Sequence, residues 1–278
     1  MKKLASHGCH GGTLSYYSHA STSTKCDMRF TVYMPPKPTG AALIFLSGLT
    51  CTEENFTTKA GAYARASELG LIIIAPDTSP RGDNVPDDAS ISLGKGAGFY
   101  LDATQAPWNT HYNMYTYISA ELPKLLRENF PIRCFGLFGH SMGGHGALTI
   151  AQKHPDLFQS VSAFAPVSRP SQDGWGPAAF TAYLGSDTTT WNDYDATALM
   201  SRHTGPATLP QILIDQGLDD GAYKEGRLNP EAFAAACKSV GQPVNLRFHP
   251  GYDHGYFFIQ TFINDHLHHH AAILETIK

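Results

Sequence analysis

Long hydrophobic runs are absent from this sequence. A membrane-spanning helix needs roughly 20 apolar residues, and the most apolar stretches, AALIFLSGL from Ala41 and LGLIIIAP from Leu69, fall far short of that. Lys2 and Lys3 are followed by no apolar signal-peptide segment, so export through a signal peptide is not expected. An excess of one charge is lacking too. The 20 Lys and Arg nearly balance 24 Asp and Glu, and no block of like charge offers a grip for nucleic acid or anionic lipid. Cysteine is sparse: Cys9, Cys26, Cys51, Cys134 and Cys237 are odd in number and have no CxxC spacing, which argues against a disulfide framework and a structural zinc site. The expectation is a soluble, cytoplasmic protein with no nucleic-acid, membrane or metal partner.

Repeats, low-complexity tracts and dividing linkers are missing as well, so residues 1–278 read as one domain, with 42% hydrophobic residues to build its core. Strand-length apolar runs recur: RFTVYMPP, AALIFLSG, LIIIAPD, CFGLFGHS, SVSAFAP, QILIDQG and VNLRFHPG. Between them lie stretches of helical character, TTKAGAYARASELG, YNMYTYISAELPKLLREN and PEAFAAACKSVG, the last closed by a glycine cap. Alternation of strand and helix predicts right-handed βαβ units and a mostly parallel central sheet with helices on both faces. One long segment, residues 77–98, is rich in Gly, Pro, Ser and Asp. A loop of that length signals either a site nearby or a mobile excursion.

The most informative stretch is FGHSMGGHGAL, Phe138 to Leu148. Gly139-His140-Ser141-Met142-Gly143 fits G-x-S-x-G between a strand candidate and a helix candidate. That context presents a serine hydroxyl from a strained turn, with glycines where neighbouring backbone passes too close for a Cβ. The open N–H groups of the helix start favour an oxyanion beside it. The plainer alternative makes Ser141 a helix N-cap.

A nucleophilic serine needs a base, and HPGYDHGYFF puts His254 in a turn after the last strand candidate, where an α/β-hydrolase carries its histidine. It also needs an acid, and IDQGLDDGAY offers Asp215, Asp219 and Asp220 at the end of the preceding strand. The order serine, aspartate, histidine is the one that fold uses. The loop in FLSGLTCTEENF, after an early strand, would supply a second oxyanion amide from Leu49 beside that of Met142. Cys51, two residues on, either lines the pocket or is an inert buried thiol. His140 and His145 read as packing residues and His249 as structural. The DHLHHHA stretch, residues 265–271, continues the apolar period of Phe258, Phe262 and Leu267 and reads as a solvated helix face instead of a metal site.

Taken together, LSGLTCTEENF, IAPDTSPRG, GAGFYLDAT, PWNTHYNMYTY, FGHSMGGHGAL, SAFAPV, YDAT, ILIDQG and GYDHGYFFI resemble, in order and almost end to end, the signatures of the S-formylglutathione hydrolases, the esterase D family. The chain departs from that pattern in residues 83–96 and just before the strand preceding Ser141. The resemblance implies an α/β-hydrolase fold with Ser141 as nucleophile, His254 as base and Asp220 as acid. Asp215 would then sit in a strand, and Asp219 would satisfy turn amides. It further implies cleavage of the thioester S-formylglutathione to glutathione and formate, carboxylesterase activity on short acyl esters, no cofactor and a homodimer. A formyl group needs a small acyl pocket, for which Trp108 is a candidate wall; a core tryptophan is the alternative.

Overall fold

The computed structural model describes residues 1–277. Nine strands form one sheet: β1 (Lys2–Cys9), β2 (Gly12–Ala20), β3 (Asp27–Met34), β4 (Ala41–Leu46), β5 (Ile72–Pro76), β6 (Cys134–His140), β7 (Phe158–Phe164), β8 (Ile212–Gly217) and β9 (Val244–His249). Their order is β1-β2-β3-β5-β4-β6-β7-β8-β9. From β5 to β9 every pairing is parallel, whereas β1, β2 and β3 join antiparallel to one another and to β5.

Burial explains why the central strands are legible. β4, β5 and β6 are buried at every residue, as parallel strands covered on both faces must be. Within β4 the side chains divide with period two. Ala42, Ile44 and Leu46 enter one apolar cluster, and Ala41, Leu43 and Phe45 enter the other. Helices Glu53–Lys59, Tyr63–Leu69 and Tyr256–Leu274 contribute Phe56, Ala66, Phe258 and Leu267 to the second cluster. Helices Met142–Lys153, Gly176–Leu184 and Pro230–Val240 contribute Leu148, Phe180 and Phe233 to the first.

The helical stretches refine as their punctuation requires. TTKAGAYARASELG divides at Gly61, whose φ of 67° ends the Glu53–Lys59 helix before Tyr63–Leu69 begins. The Met114–Asn129 stretch passes through a π-turn at Tyr117–Glu121 just before Pro123, which has no N–H to give a regular helical bond. Pro230–Val240 ends on Gly241 at φ 75°.

Two features differ from the sequence reading. The β1–β2 hairpin was not expected, because β1 is almost wholly exposed and lacks apolar alternation. Its signal is the two-residue turn His10-Gly11, with φ of 46° and 76°, the left-handed pair a tight hairpin uses. The second is a correction. The residue 265–271 stretch is not a solvated face: His266 and His270 are fully buried against the sheet, and only Asp265 and His268 are exposed. His270 Nδ1 and Nε2 lie 2.6 and 2.9 Å from the hydroxyls of Ser160 and Ser162, and His266 Nδ1 lies 2.8 Å from Ser162 Oγ. Alternate serines on β7 thus receive imidazoles one helical turn apart. Among the described residues, no helix is long and apolar enough to cross a membrane.

Candidate active site

Leu46 at the end of β4 lies in register with Gly139 near the end of β6. The loops leaving these two neighbouring parallel strands therefore emerge side by side at their carboxyl ends, where ligands bind in open α/β sheets. Ser141 occupies the turn between β6 and the Met142–Lys153 helix at φ 58° and ψ −120°, a conformation that costs a non-glycine residue about 1–3 kcal/mol. It is held there by three backbone bonds. Its N–H donates to Phe164 O at 3.0 Å, and its carbonyl accepts from His145 N at 3.0 Å and Val167 N at 3.1 Å. A Cβ on Gly143 would strike the Leu46 carbonyl, and one on Gly139 would strike Gly143 itself. Both glycines are therefore required by close backbone approach. Ser141 makes no side-chain cap bond to the helix, which leaves its hydroxyl free of the N-cap alternative.

His254 follows β9 and meets Asp220, with Nδ1 2.6 Å from Asp220 Oδ2. Its ring lies 4.4 Å from that of His140, the residue before Ser141. Asp220 is fully buried. Its Oδ1 accepts the amides of Ala222 at 2.8 Å and Tyr223 at 3.2 Å, and its Oδ2 also accepts Gln216 Nε2 at 3.1 Å. Burial alone would raise the Asp220 carboxyl, but His254 and these donors outweigh it and hold the group below the usual carboxylate range. The other two aspartates are engaged elsewhere. Asp219 is exposed and pairs with Lys224 at 2.9 Å, so it is Asp220, not Asp219, that satisfies the turn amides. Asp215 lies in β8 and is fully buried. Arg247 grips it with two bonds of 2.6 Å, and His266 lies 3.2 Å away.

The loop after β4 is clamped from three sides. Tyr100 Oη donates to Ser47 O at 2.9 Å, Thr50 N donates to Gly96 O at 2.9 Å, and Cys51 O accepts Thr78 Oγ1 at 2.5 Å and Arg81 at 3.0 Å. Thr50 sits at φ 66°, so these contacts hold a strained turn. The Leu49 and Met142 amides donate no hydrogen bond among the described residues. Residues 77–98 lie beside the site: they supply Thr78, Arg81 and Gly96 to this clamp, and Asp77 in turn pairs with Arg81 at 2.7 Å. Sequence reasoning missed Thr78, Arg81 and Tyr100, because nothing in their spacing relates them to the loop they hold.

Cys51 is half-buried, and burial raises its thiol above the ordinary range. Tyr256, also missed, lies beside Cys51 and Ser47. His140 is kept well below the usual imidazole range, by burial first and by His254 second. Trp108 does not join this group. It packs edge-on against Tyr112 and Tyr183, with ring centroids 5.2 and 5.4 Å away, in the core cluster, which favours the core alternative. Among the described residues, no three His, Cys, Asp or Glu side chains are grouped to hold a metal ion.

Residues 21–269 match the family model described as "Putative esterase". The chain is 50% identical over 280 residues to the S-formylglutathione hydrolase of Rattus norvegicus and to that of Mus musculus, with 99% of each chain covered. Its fold superimposes on an S-formylglutathione hydrolase structure from Agrobacterium tumefaciens with a TM-score of 0.95 at 45% identity, covering 99% of this chain and 100% of that one. A ferulic acid esterase at 16% identity and TM-score 0.73 shares the fold alone. With a match over nearly its whole length at this identity, the chain belongs to the S-formylglutathione hydrolase family of α/β-hydrolase esterases.

Proposed function

We propose that this protein hydrolyses S-formylglutathione to glutathione and formate with Ser141 as nucleophile, His254 as general base and Asp220 as its orienting acid. The observation that carries the reading is the 2.6 Å Asp220–His254 pair, whose imidazole lies 4.4 Å from that of His140, the residue before a serine held in a strained turn. Asp220 accepts from Nδ1, which fixes the tautomer that leaves Nε2 free to take the Ser141 proton. The serine oxygen then bonds to the formyl carbon, and the carbonyl electron pair moves onto oxygen. The amides of Met142 and Leu49 would receive that oxyanion, and each such donor is typically worth about 10²–10³ in rate. Collapse breaks the carbon–sulfur bond, and the sulfur leaves with the proton from His254. Water attacks the formyl-serine after giving its proton to His254, and formate departs as the proton returns to Ser141.

His140 supports this chemistry by staying uncharged. A second imidazolium 4.4 Å from His254 would oppose the positive charge that develops there. Cleavage of short acyl esters follows from the same groups. The proposal extends to a cytoplasmic homodimer, and light scattering tests the dimer. The decisive experiment incubates purified protein with S-formylglutathione and measures free thiol and formate. Equal release of the two is expected, and an intact thioester overturns the reading.

A further inference from the structure

Two clefts of about 400 Å³ open near the loop after β4, and their charges are opposed. One is lined by Asp27, Glu53, Glu54 and Asp77 against Arg29 and Arg81, four carboxylates to two guanidiniums, and repels an anionic substrate. The other is lined by Lys59, Tyr256, Phe257 and Gln260. Its walls are the two helices that adjoin the proposed machinery: Lys59 ends the Glu53–Lys59 helix, which starts just past Cys51, and Phe257 stands three residues after His254. Tyr256 links the cleft to the reacting groups, with its ring 6.2 Å from that of His140 and its hydroxyl beside Ser47 and Cys51.

Two features of this second cleft are left open to a ligand. The Lys59 ammonium lies 5.8 Å from the Tyr256 ring centroid and pairs with no carboxylate among the described residues. Phe257 is 83% exposed, the most of any large apolar side chain. A cation and an apolar plate at the rim of a site suit a ligand that carries an anionic end on a short peptide stem.

Resting on the function proposed above, we propose that this cleft holds the glycyl arm of the glutathione leaving group, with Lys59 pairing the glycyl carboxylate and Phe257 covering the peptide stem. Both ends of glutathione carry a carboxylate, but the γ-glutamyl end also carries an ammonium, which Lys59 would repel. The glycyl end presents its carboxylate alone. It is one residue, about 3.8 Å between Cα atoms, from the cysteine whose sulfur is released, so the reach suits a cleft adjoining the reacting groups.

The test compares kcat/KM for S-formylglutathione with kcat/KM for p-nitrophenyl acetate, which has no peptide, and uses their ratio. Lys59→Met is expected to lower that ratio about tenfold, as loss of a charge-assisted bond does, chiefly through KM, and Lys59→Arg to restore most of it. A thioester whose glycyl carboxylate is replaced by a carboxamide should show the low ratio with wild type already, with little further loss in Lys59→Met. An unchanged ratio in Lys59→Met, or an equal loss on acid and carboxamide substrates, overturns the assignment while the hydrolase function stands. A wild type that leaves S-formylglutathione intact overturns the function, and the assignment with it.

Discussion

Asp220 and His254 come from turns 34 residues apart, after β8 and after β9, and meet at 2.6 Å with the carboxylate buried and the imidazole partly exposed. Asp219, the preceding residue, faces outward to Lys224. Replacing Asp220 with Asn keeps the shape but favours the wrong imidazole tautomer, a change that lowers kcat about 10⁴-fold in the serine protease template. We expect at least a hundredfold loss of kcat for Asp220→Asn and less than about a threefold change for Asp219→Asn, where only an exposed ion pair is lost. Steady-state kinetics of both variants decide it, and losses in the reverse order would reject Asp220 as the acid.

Ser141→Ala tests the nucleophile. The hydroxyl takes part in no cap bond, and alanine meets the same backbone strain at φ 58° as serine. Hydrolysis of thioester and ester should therefore vanish while the melting temperature stays within a few degrees of wild type. Retained turnover by the folded variant would remove Ser141 from the mechanism.

Cys51 offers a chemical probe of the pocket. Burial raises its thiol, with Lys59, Tyr256 and the Gly48 backbone only partly offsetting that, so little thiolate is present at neutral pH. Inhibition by a bulky maleimide should be slow near pH 7, quicken as pH rises, and be absent in Cys51→Ser. Equal inhibition of both proteins would assign the effect to another thiol, with half-buried Cys9 and Cys26 the first to examine.

The buried histidines set an acid limit on stability. His145, His266 and His270 are fully enclosed, and burial lowers all three below the ordinary imidazole range, His145 to about 4. Between the lowered folded value and the unfolded value near 6.5, the unfolded chain binds more protons, so stability rises with pH and is lost as pH falls below about 6.5. At pH 5.5 His145 costs about 1 kcal/mol relative to pH 7.5, and His266 and His270 act in the same direction. Asp215 adds nothing in that window: burial opposes its charge, but His266 and Arg247 hold it far below the usual range, and its stabilisation fades only under about pH 4. Urea midpoints at pH 7.5 and 5.5 check the sign, and equal midpoints would contradict it.

How far the sequence reaches depends on whether a signal is local. The seven strands from β3 to β9 are visible because each is a short apolar run between turn residues, and six of them pair in parallel. The Ser141 turn is visible because backbone crowding at Gly139 and Gly143 permits no other residue there. The β1–β2 hairpin escaped notice, since an exposed strand carries no apolar pattern, and its turn signal is only two residues long.

By itself, then, the sequence determined the alternating α/β architecture, the strained serine turn and the order of serine, aspartate and histidine, all of which rest on spacing along the chain. Spacing left three aspartates open and only the family resemblance singled out Asp220; tertiary structure shows it facing His254, and alone decided that Arg81 and Thr78 grip the Cys51 carbonyl and that His266 and His270 lie against Ser160 and Ser162 instead of in water. Each of those outcomes joins residues far apart in sequence, or chooses between adjacent ones by the direction a side chain takes. Direction and distant contact are fixed by how helices seat on the sheet, and composition and spacing carry no record of that.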